Sequence, residues 1–471
     1  MPSDEGGVHV LMATVAMQGH MNPMLKFAKC LASKGVHVTI ATTDVARHLM
    51  NKNNNSTNSD HNPHNRIHLE FYSDGLSPEF DRQTGVGAFI DSLKTVGYKN
   101  LSNLVTTINK DRNISCMVFN PFTPWMAEVA ADHDIPSAAL WIQASAIYSI
   151  YYRYFENPSL FGNLENPNAQ VIELPGMPTL AVEDLPTFIL PSGPAPIKSA
   201  LTDFYHNLNK VNWVLGASFY ELEEDIVYSM ASLYPIHPIG PLVSPFLLGK
   251  EETDGPNIDM WNVEDSCLRW LDNQPSSSVI YVAFGSLIVL TQSHIDGIAT
   301  ALKNIDRPFL WVLKPPDKGS YEAIGQLPSE FLEETKEKGL VVAWCPQEKV
   351  LMHQSVACFM THVGWNSTLE TVVSGVPVVA YPKWTDQPTN ARLIADAFKV
   401  GVSVRRGEDG VASAEEVERC IMEVVDGPRS DEIKKRAVEL KEKAKKAVQS
   451  GGSSDKNIDW FIREIGAKQS V

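Results

Sequence analysis

The sequence predicts an α/β architecture of two Rossmann-like, parallel-sheet domains facing a cleft. Three observations carry that expectation. Short, almost continuous apolar runs alternate with helical stretches in both halves of the chain, the pattern of parallel strands covered on both faces. A cluster of prolines and a polar run separate the halves. At 471 residues, the chain is longer than one hydrophobic core usually organises.

The elements follow in order. Val8–Val15 reads as the first strand. Asn22-Pro23 reads as a helix start, because Asn caps well and Pro suits the first helical position. The helix Met24–Ser33 stops at Gly35, and His37–Thr42 is the next strand. Asn51–Asn65 is polar and Asn-rich, so it reads as a loop. Cys116–Phe119 and Ala138–Trp141 read as further strands with helices between them. Pro235, Pro238, Gly240-Pro241 and Pro245, followed by the polar run Lys250–Asn257, mark the break. The expected organisation is an N-terminal domain over 1–242, a linker over 243–262 and a C-terminal domain over 263–450. In the second half Ser278–Phe284, Phe309–Lys314, Leu340–Trp344, Ala357–Thr361 and Val376–Tyr381 read as strands. Helices are expected at Gln292–Asn304, Gln347–Gln354, Asn366–Ser374 and Thr389–Phe398. Beyond Gly451-Gly452-Ser453-Ser454, the residues Ile458, Phe461, Ile462 and Ile465 recur at helical spacing. The segment 451–471 is therefore expected to pack as a closing helix.

Composition excludes several function classes. The net charge is -16, whereas a groove that follows nucleic-acid phosphates needs a basic surface. The same sign opposes docking to anionic membranes. An anionic substrate would need a local positive site made of backbone N–H groups or helix ends. The six cysteines form no CxxC pair and no zinc or disulfide spacing, so free thiols in a reducing compartment are expected. The opening MPSDEGGVHVLMATVAMQGH has no basic n-region and reads as a buried strand rather than a signal peptide. No run of about 18 apolar residues is present to cross a bilayer. A cytoplasmic monomer without membrane insertion, metal or cofactor is the expectation.

Ligands of open parallel sheets bind at the carboxyl ends of the strands, which directs attention to the loops there. The stretch HVGWNSTLE follows a strand and opens a helix. Asn366 and Ser367 lie at that helix start, where free N–H groups and the helix dipole favour a phosphate. His362 precedes the turn and can donate to a diphosphate oxygen. Gly364 allows close backbone approach, and Glu370, one turn on, suits ribose hydroxyls. A nicotinamide-dependent oxidoreductase would need a GxGxxG turn after a strand, which is absent from the sequence.

The 44 residues WCPQEKVLMHQSVACFMTHVGWNSTLETVVSGVPVVAYPKWTDQ, from Trp344 to Gln387, closely resemble the signature box of the plant secondary-product glycosyltransferases (family 1, GT-B fold). QGHMNP near the start, the Pro-rich linker and GGSS near the end extend the resemblance over nearly the whole chain. It implies that Trp344 stacks on uracil, and that Gln347 and Glu370 bind ribose. It implies that His362, Asn366 and Ser367 hold the phosphates, while Asp386 and Gln387 bind the sugar hydroxyls. Cys345 and Trp365 fall within the same donor-binding motif, and Ser286, after FGS, would add a phosphate or acceptor-side contact. Gln387, where some relatives carry His, resembles users of glucose rather than galactose. UDP-glucose is thus the implied co-substrate.

QGHMNP places His20 where the resembled family has its catalytic base. An imidazole with an ordinary pKa near 6.5 can take a proton from an acceptor hydroxyl. One displacement on an α-linked donor then gives a β-glycoside with inversion. Many relatives pair this His with an Asp, but MVFNPFTPW puts Asn120 there. An Asn oxygen can accept from Nδ1–H, yet supplies no negative charge. The departure suits acceptors already ionised at neutral pH. The wider pattern (MLKFAKCLASKG, FYSDGL, NPFTPW, LWIQASA, YELE) looks most like the group that forms glucose esters of aryl carboxylic acids, including indole-3-acetate. Phe122, Trp125, Trp141, Gln143 and Tyr148 are expected near the mouth of the first sheet, with Phe122, Trp141 and Gln143 lining the pocket for a small aromatic acceptor. Glucosylation of a flavonoid-type polyphenol, at oxygen or carbon, and a non-catalytic UDP-sugar-binding module remain the competing expectations.

Overall fold

The computed structural model describes residues 7–52, 66–82, 85–166, 171–250, 266–285, 288–313, 325–407 and 409–468. Two parallel sheets dominate them. The first contains β1 (His9–Ala13), β2 (His37–Thr43), β3 (Ile67–Tyr72), β4 (Cys116–Phe119), β5 (Ser137–Trp141), β6 (Trp213–Gly216) and β7 (Ile236–Pro238). Their spatial order is β3-β2-β1-β4-β5-β6-β7, every neighbour parallel. The second contains β8 (Val279–Ala283), β9 (Phe309–Val312), β10 (Gly339–Val342), β11 (Val356–Thr361), β12 (Val378–Ala380) and β13 (Gly401–Ser403). Its order, β10-β9-β8-β11-β12-β13, is again wholly parallel. In both sheets the chain starts in the middle, winds outward one way and then returns to the other side. That reversal leaves a crevice beside the carboxyl end of the central strand. All five residues of β1 and of β8 are buried, which is why their sequences, His9 apart, are continuously apolar rather than alternating.

The expected strand and helix positions are met closely in several places, including β4 and the helix Gln292–Asn304. Others move. The segment around Pro235 and Pro238, expected as part of the break between halves, supplies the edge strand β7. Pro is tolerated on an edge, where one side of the ladder needs no donor. The helix expected from Thr389 begins at Gln387 and loosens into a π-helical turn over Leu393–Phe398. Residues 53–65 and 251–265 lie outside the described residues, and so do most of the expected Asn-rich loop, whose first two residues instead end the helix Asp44–Lys52, and most of the expected linker.

The last two helices, Ser430–Ala447 and Ser453–Lys468, carry the chain back to the first sheet. Phe461 and Ile465 of the final helix are fully buried, and Ile458 nearly so. The Phe461 ring packs on Phe27 and Trp213, with centroids 6.2 and 5.6 Å away. Lys34 binds Asp455 and Asp459 at 2.6 and 2.7 Å, and Asn457 Nδ2 donates to Pro238 O at 2.7 Å. The first-lobe core consequently runs on without a gap into Ala437, Leu440, Ile458 and Phe461. Among the described residues no helix is long and apolar enough to cross a membrane.

Candidate active site

His20 lies in the first turn of helix α1 (Gln18–Ser33), not in a loop before it. The helix begins at Gln18, five residues ahead of Pro23, which lies inside it. Pro23 has no N–H to give to the Gly19 carbonyl four residues back. That carbonyl accepts instead from Asn366 Nδ2, at 3.4 Å, across from the second lobe. The early proline is thus compatible with a helix that starts sooner than its sequence signal suggests.

The His20 ring is held against Phe122, centroids 5.5 Å apart. Burial pushes its pKa down to about 4, with the neighbouring Asn120 side chain acting the other way. Asn120 itself is fully buried. Its Nδ2 donates to Thr14 Oγ1 at 3.2 Å and its Oδ1 accepts from Phe122 N at 3.1 Å. The His20 Nδ1 has no hydrogen-bond partner. Asn120 is therefore adjacent to the imidazole, its side chain acting on His20 against the effect of burial while its carboxamide also braces the loop.

Phe122 leads into a ring series that continues through Phe188, at 6.3 Å, to Trp384 on the other lobe, at 6.2 Å. Phe188 belongs to a short 3-10 turn, Thr187–Ile189. Thr187 N donates to Thr385 O at 2.8 Å, and Thr385 N donates to Thr187 Oγ1 at 2.9 Å. Phe188 and Thr187 escaped the sequence reading, because neither lies at the end of a recognisable strand. Trp141, expected to line the pocket, has no accessible surface. Its indole N–H is bound by Ala144 O, and its rings pack on Tyr148, Tyr151, Phe204 and Tyr205. Trp141 and Tyr148 are core, since β5 is covered by helix α2 (Ser145–Glu156). Gln143, beyond the end of β5, is buried with its Oε1 unpaired, and it lies against Asp386 of the other lobe.

On the second lobe the turn between β11 and helix α3 (Trp365–Ser374) is tightly built. Val363 has φ +57°, a left-handed conformation that strains a β-branched residue by about 1–3 kcal/mol. It turns the chain so that His362 is wedged between two glycines. A Cβ on Gly285 would lie 2.8 Å from His362 Cε1, and one on Gly364 would lie 2.7 Å from Nε2. Burial pushes the His362 pKa down to about 4, so the ring is neutral near pH 7 and keeps one N–H to donate. Asn366 and Ser367 sit in the first turn of α3, and Glu370 one turn later.

Gln347 joins this turn to its neighbours. Its Nε2 donates to Ser367 Oγ at 3.1 Å and Glu370 Oε2 at 2.7 Å, and its Oε1 accepts from Tyr281 OH at 3.4 Å. Burial raises the Glu370 pKa, with the Lys26 charge the largest opposing influence. Trp344 is half-buried. Cys345 is a core thiol paired with Tyr281 OH at 3.1 Å, and burial pushes it up to about 12. The Trp365 side chain is also core, with an unpaired indole N–H. Neither Cys345 nor Trp365 offers its side chain to the cleft. Ser286 lies outside the described residues.

Asp386 stands immediately before helix α4 (Gln387–Arg392), without a capping hydrogen bond from its side chain. Its carboxylate accepts from Thr385 Oγ1 at 2.6 Å and Asn390 Nδ2 at 2.8 Å. Burial raises its pKa, against those hydrogen bonds and one from Gln143. Gln387 Oε1 accepts from the N–H groups of Lys383 and Trp384, at 2.9 and 3.1 Å. Its Nε2 makes no hydrogen bond among the described residues. Among the same residues, no group of three or more His, Cys, Asp or Glu is placed to hold a metal ion.

Comparisons with known proteins agree on one family. Residues 263–443 match the model described as "UDP-glucoronosyl and UDP-glucosyl transferase". The chain is 48% identical to UDP-glycosyltransferase 84B1 of Arabidopsis thaliana, over 99% of both chains. It is 39% identical to a gallate 1-beta-glucosyltransferase (84A24) of Punica granatum, over 98% of this chain and 89% of that one. The crystal structure of Os79 from O. sativa in complex with UDP superposes with a TM-score of 0.82 at 29% identity, covering 97% of this chain and 100% of that one. With two parallel sheets of GT-B type and a relative matched end to end, the chain belongs to the plant family-1 UDP-glycosyltransferases and is an enzyme of that kind.

Proposed function

We propose that the protein transfers glucose from UDP-glucose, with inversion, to an aryl carboxylic acid or an acidic phenol. The observation that carries this reading is the state of His20. Its ring is neutral, its pKa is pushed down to about 4 by burial, and among the described residues no carboxylate stands beside it to stabilise a cation. Such an imidazole is a weak proton acceptor. It suits an oxygen nucleophile that is already ionised at neutral pH, for which little proton transfer is required. The gallate-glucosylating relative supports an aromatic acid as acceptor.

In this reading UDP lies along the second lobe. Trp344 stacks on the uracil, and Gln347 and Glu370 take the ribose. His362, Asn366, Ser367 and the free N–H groups of α3 hold the diphosphate. Asp386 and Gln387 meet the sugar hydroxyls. The acceptor lies against the ring series of Phe122 and Phe188, and its oxygen attacks the anomeric carbon from the face opposite UDP. The C–O bond to the acceptor forms as the bond to the UDP oxygen breaks. Any acceptor proton passes to His20. The enzyme works as a cytoplasmic monomer.

The test is incubation with UDP-glucose and a panel of aryl acids, phenols and flavonoid-type polyphenols, followed by mass analysis and hydrolysis. A product cleaved by mild alkali is an ester, one cleaved only by acid an O-glycoside, and one resistant to both a C-glycoside. Ester as the main product supports the proposal. A C-glycoside of a polyphenol as the main product, with aryl acids left unconverted, overturns it.

A further inference from the structure

Helices α1 and α3 face each other across the two lobes. Besides the Asn366–Gly19 contact, Lys26 of α1 reaches over to the second lobe. Its Nζ lies 3.6 Å from Glu370 Oε1 and 3.4 Å from Glu348 Oε1. Asn366 and Glu370 are one turn apart on one face of α3, and Gly19 and Lys26 two turns apart on one face of α1. The ion pair is well shielded, with side-chain exposures of 19% for Lys26 and 13% for Glu370. Glu348 is itself tied down by a hydrogen bond from Ser244 Oγ. Lys26 thus places its charge between two carboxylates of the second lobe, and it belongs to the helix that bears His20.

We propose that Lys26 is a positioning residue for the nucleotide sugar, holding Glu370 in place for the ribose and tying that carboxylate to the helix that carries His20. The proposal rests on the assignment of Glu370 to the ribose. Gln347 occupies one Glu370 oxygen and Lys26 lies against the other, so the carboxylate cannot rotate, while its remaining lone pairs stay free to accept from two hydroxyls. Without the ammonium group, Glu348 and Glu370 would face each other as like charges, and Glu370 would turn away or take up a proton. Either change removes acceptors from the ribose without touching the acceptor pocket.

The experiment measures calorimetric binding of UDP and 2′-deoxy-UDP to the full-length wild type and to K26M, K26Q, K26R and E370A, with KM values for UDP-glucose and for an aromatic acceptor. Wild type is expected to prefer UDP over the deoxy ligand, and E370A to lose that preference. K26M and K26Q are expected to weaken UDP about three- to tenfold, to shrink the preference, and to raise KM for UDP-glucose while leaving the acceptor KM unchanged. K26R, which keeps the charge, is expected to restore both. Full UDP affinity and full preference in K26M and K26Q overturn the role of Lys26. If E370A keeps the preference, the ribose assignment fails instead. Equal loss of both ligands in all the Lys26 variants, K26R included, marks a purely structural role and also overturns the proposal.

Discussion

A single imidazole governs the chemistry on the first lobe. With a weakly acidic phenol as acceptor, His20→Ala is expected to lower turnover by about 10²–10⁴-fold, and by less with an aryl carboxylate that carries no proton to remove, while leaving UDP binding intact, since the donor residues lie on the other lobe. Steady-state rates with calorimetric UDP titration check this, and wild-type turnover in the variant would show that His20 is not the base. The pH dependence has a definite sign. A pKa lowered from 6.5 to about 4 keeps the ring unprotonated as the medium is acidified through 6.5. With a simple phenol as acceptor, the acid limb of kcat/KM is therefore expected nearer pH 4 than 6.5; a midpoint at 6.5 would reveal a solvated ring. Asn120→Asp places a carboxylate beside the unpaired Nδ1 of His20. It is expected to raise activity on weakly acidic phenols more than on aryl carboxylates, because only the phenols need the imidazolium to form. Equal effects on both, in side-by-side rate measurements, would contradict that account. At this scale the sequence was a good guide to the neighbourhood of His20, Asn120, Gln347 and Glu370. It misled on Trp141, because an aromatic at a strand end reads alike whether it faces a cleft or a covering helix. It was silent on Phe188, whose place depends on a backbone pairing with Thr385 some 200 residues away.

At the scale of elements, the turn from β11 into α3 is the most constrained piece of the donor lobe. Val363 accepts a left-handed backbone there, and glycines flank His362 where any side chain would collide with it. Gly364→Ala is expected to displace the imidazole and weaken UDP by about tenfold or more, since errors near 1 Å at a binding group carry costs of that order. Calorimetry on the folded variant checks this, and unchanged affinity would mean that the ring does not contact the nucleotide. Parallel strands buried on both faces were readable from their unbroken apolar runs, as in β1, β4 and β8. Besides the six-residue β3, strands β6, β7 and β13 were not read. Each of the latter three is only three or four residues long, and β7 has Pro238 within it. Such short segments take their conformation from the neighbouring strands more than from their own composition. The start of α1 was misplaced for a related reason. Asn-Pro is a strong local signal, yet the tertiary contact from Asn366 accommodates the proline inside the helix.

For the whole molecule, the final helix contributes to the first lobe although it follows the second in sequence. Phe461 is fully buried between Phe27 and Trp213. Phe461→Ala is expected to destabilise the protein by about 3–5 kcal/mol, seen as a lower denaturation midpoint; a loss under 1 kcal/mol would show that the helix is only loosely seated. That return path has a bearing on hybrid enzymes. Swapping acceptor specificity between relatives by cutting at the middle of the chain would leave the aromatic socket around Phe27 facing a foreign plug. A working chimera is expected to need three segments rather than two, with the terminal sixteen or so residues taken from the same parent as the acceptor half. The same path also bears on biosynthesis: the first half emerges from the ribosome long before the piece that completes its surface, and must wait with that socket open until the helix bearing Phe461 has followed it out.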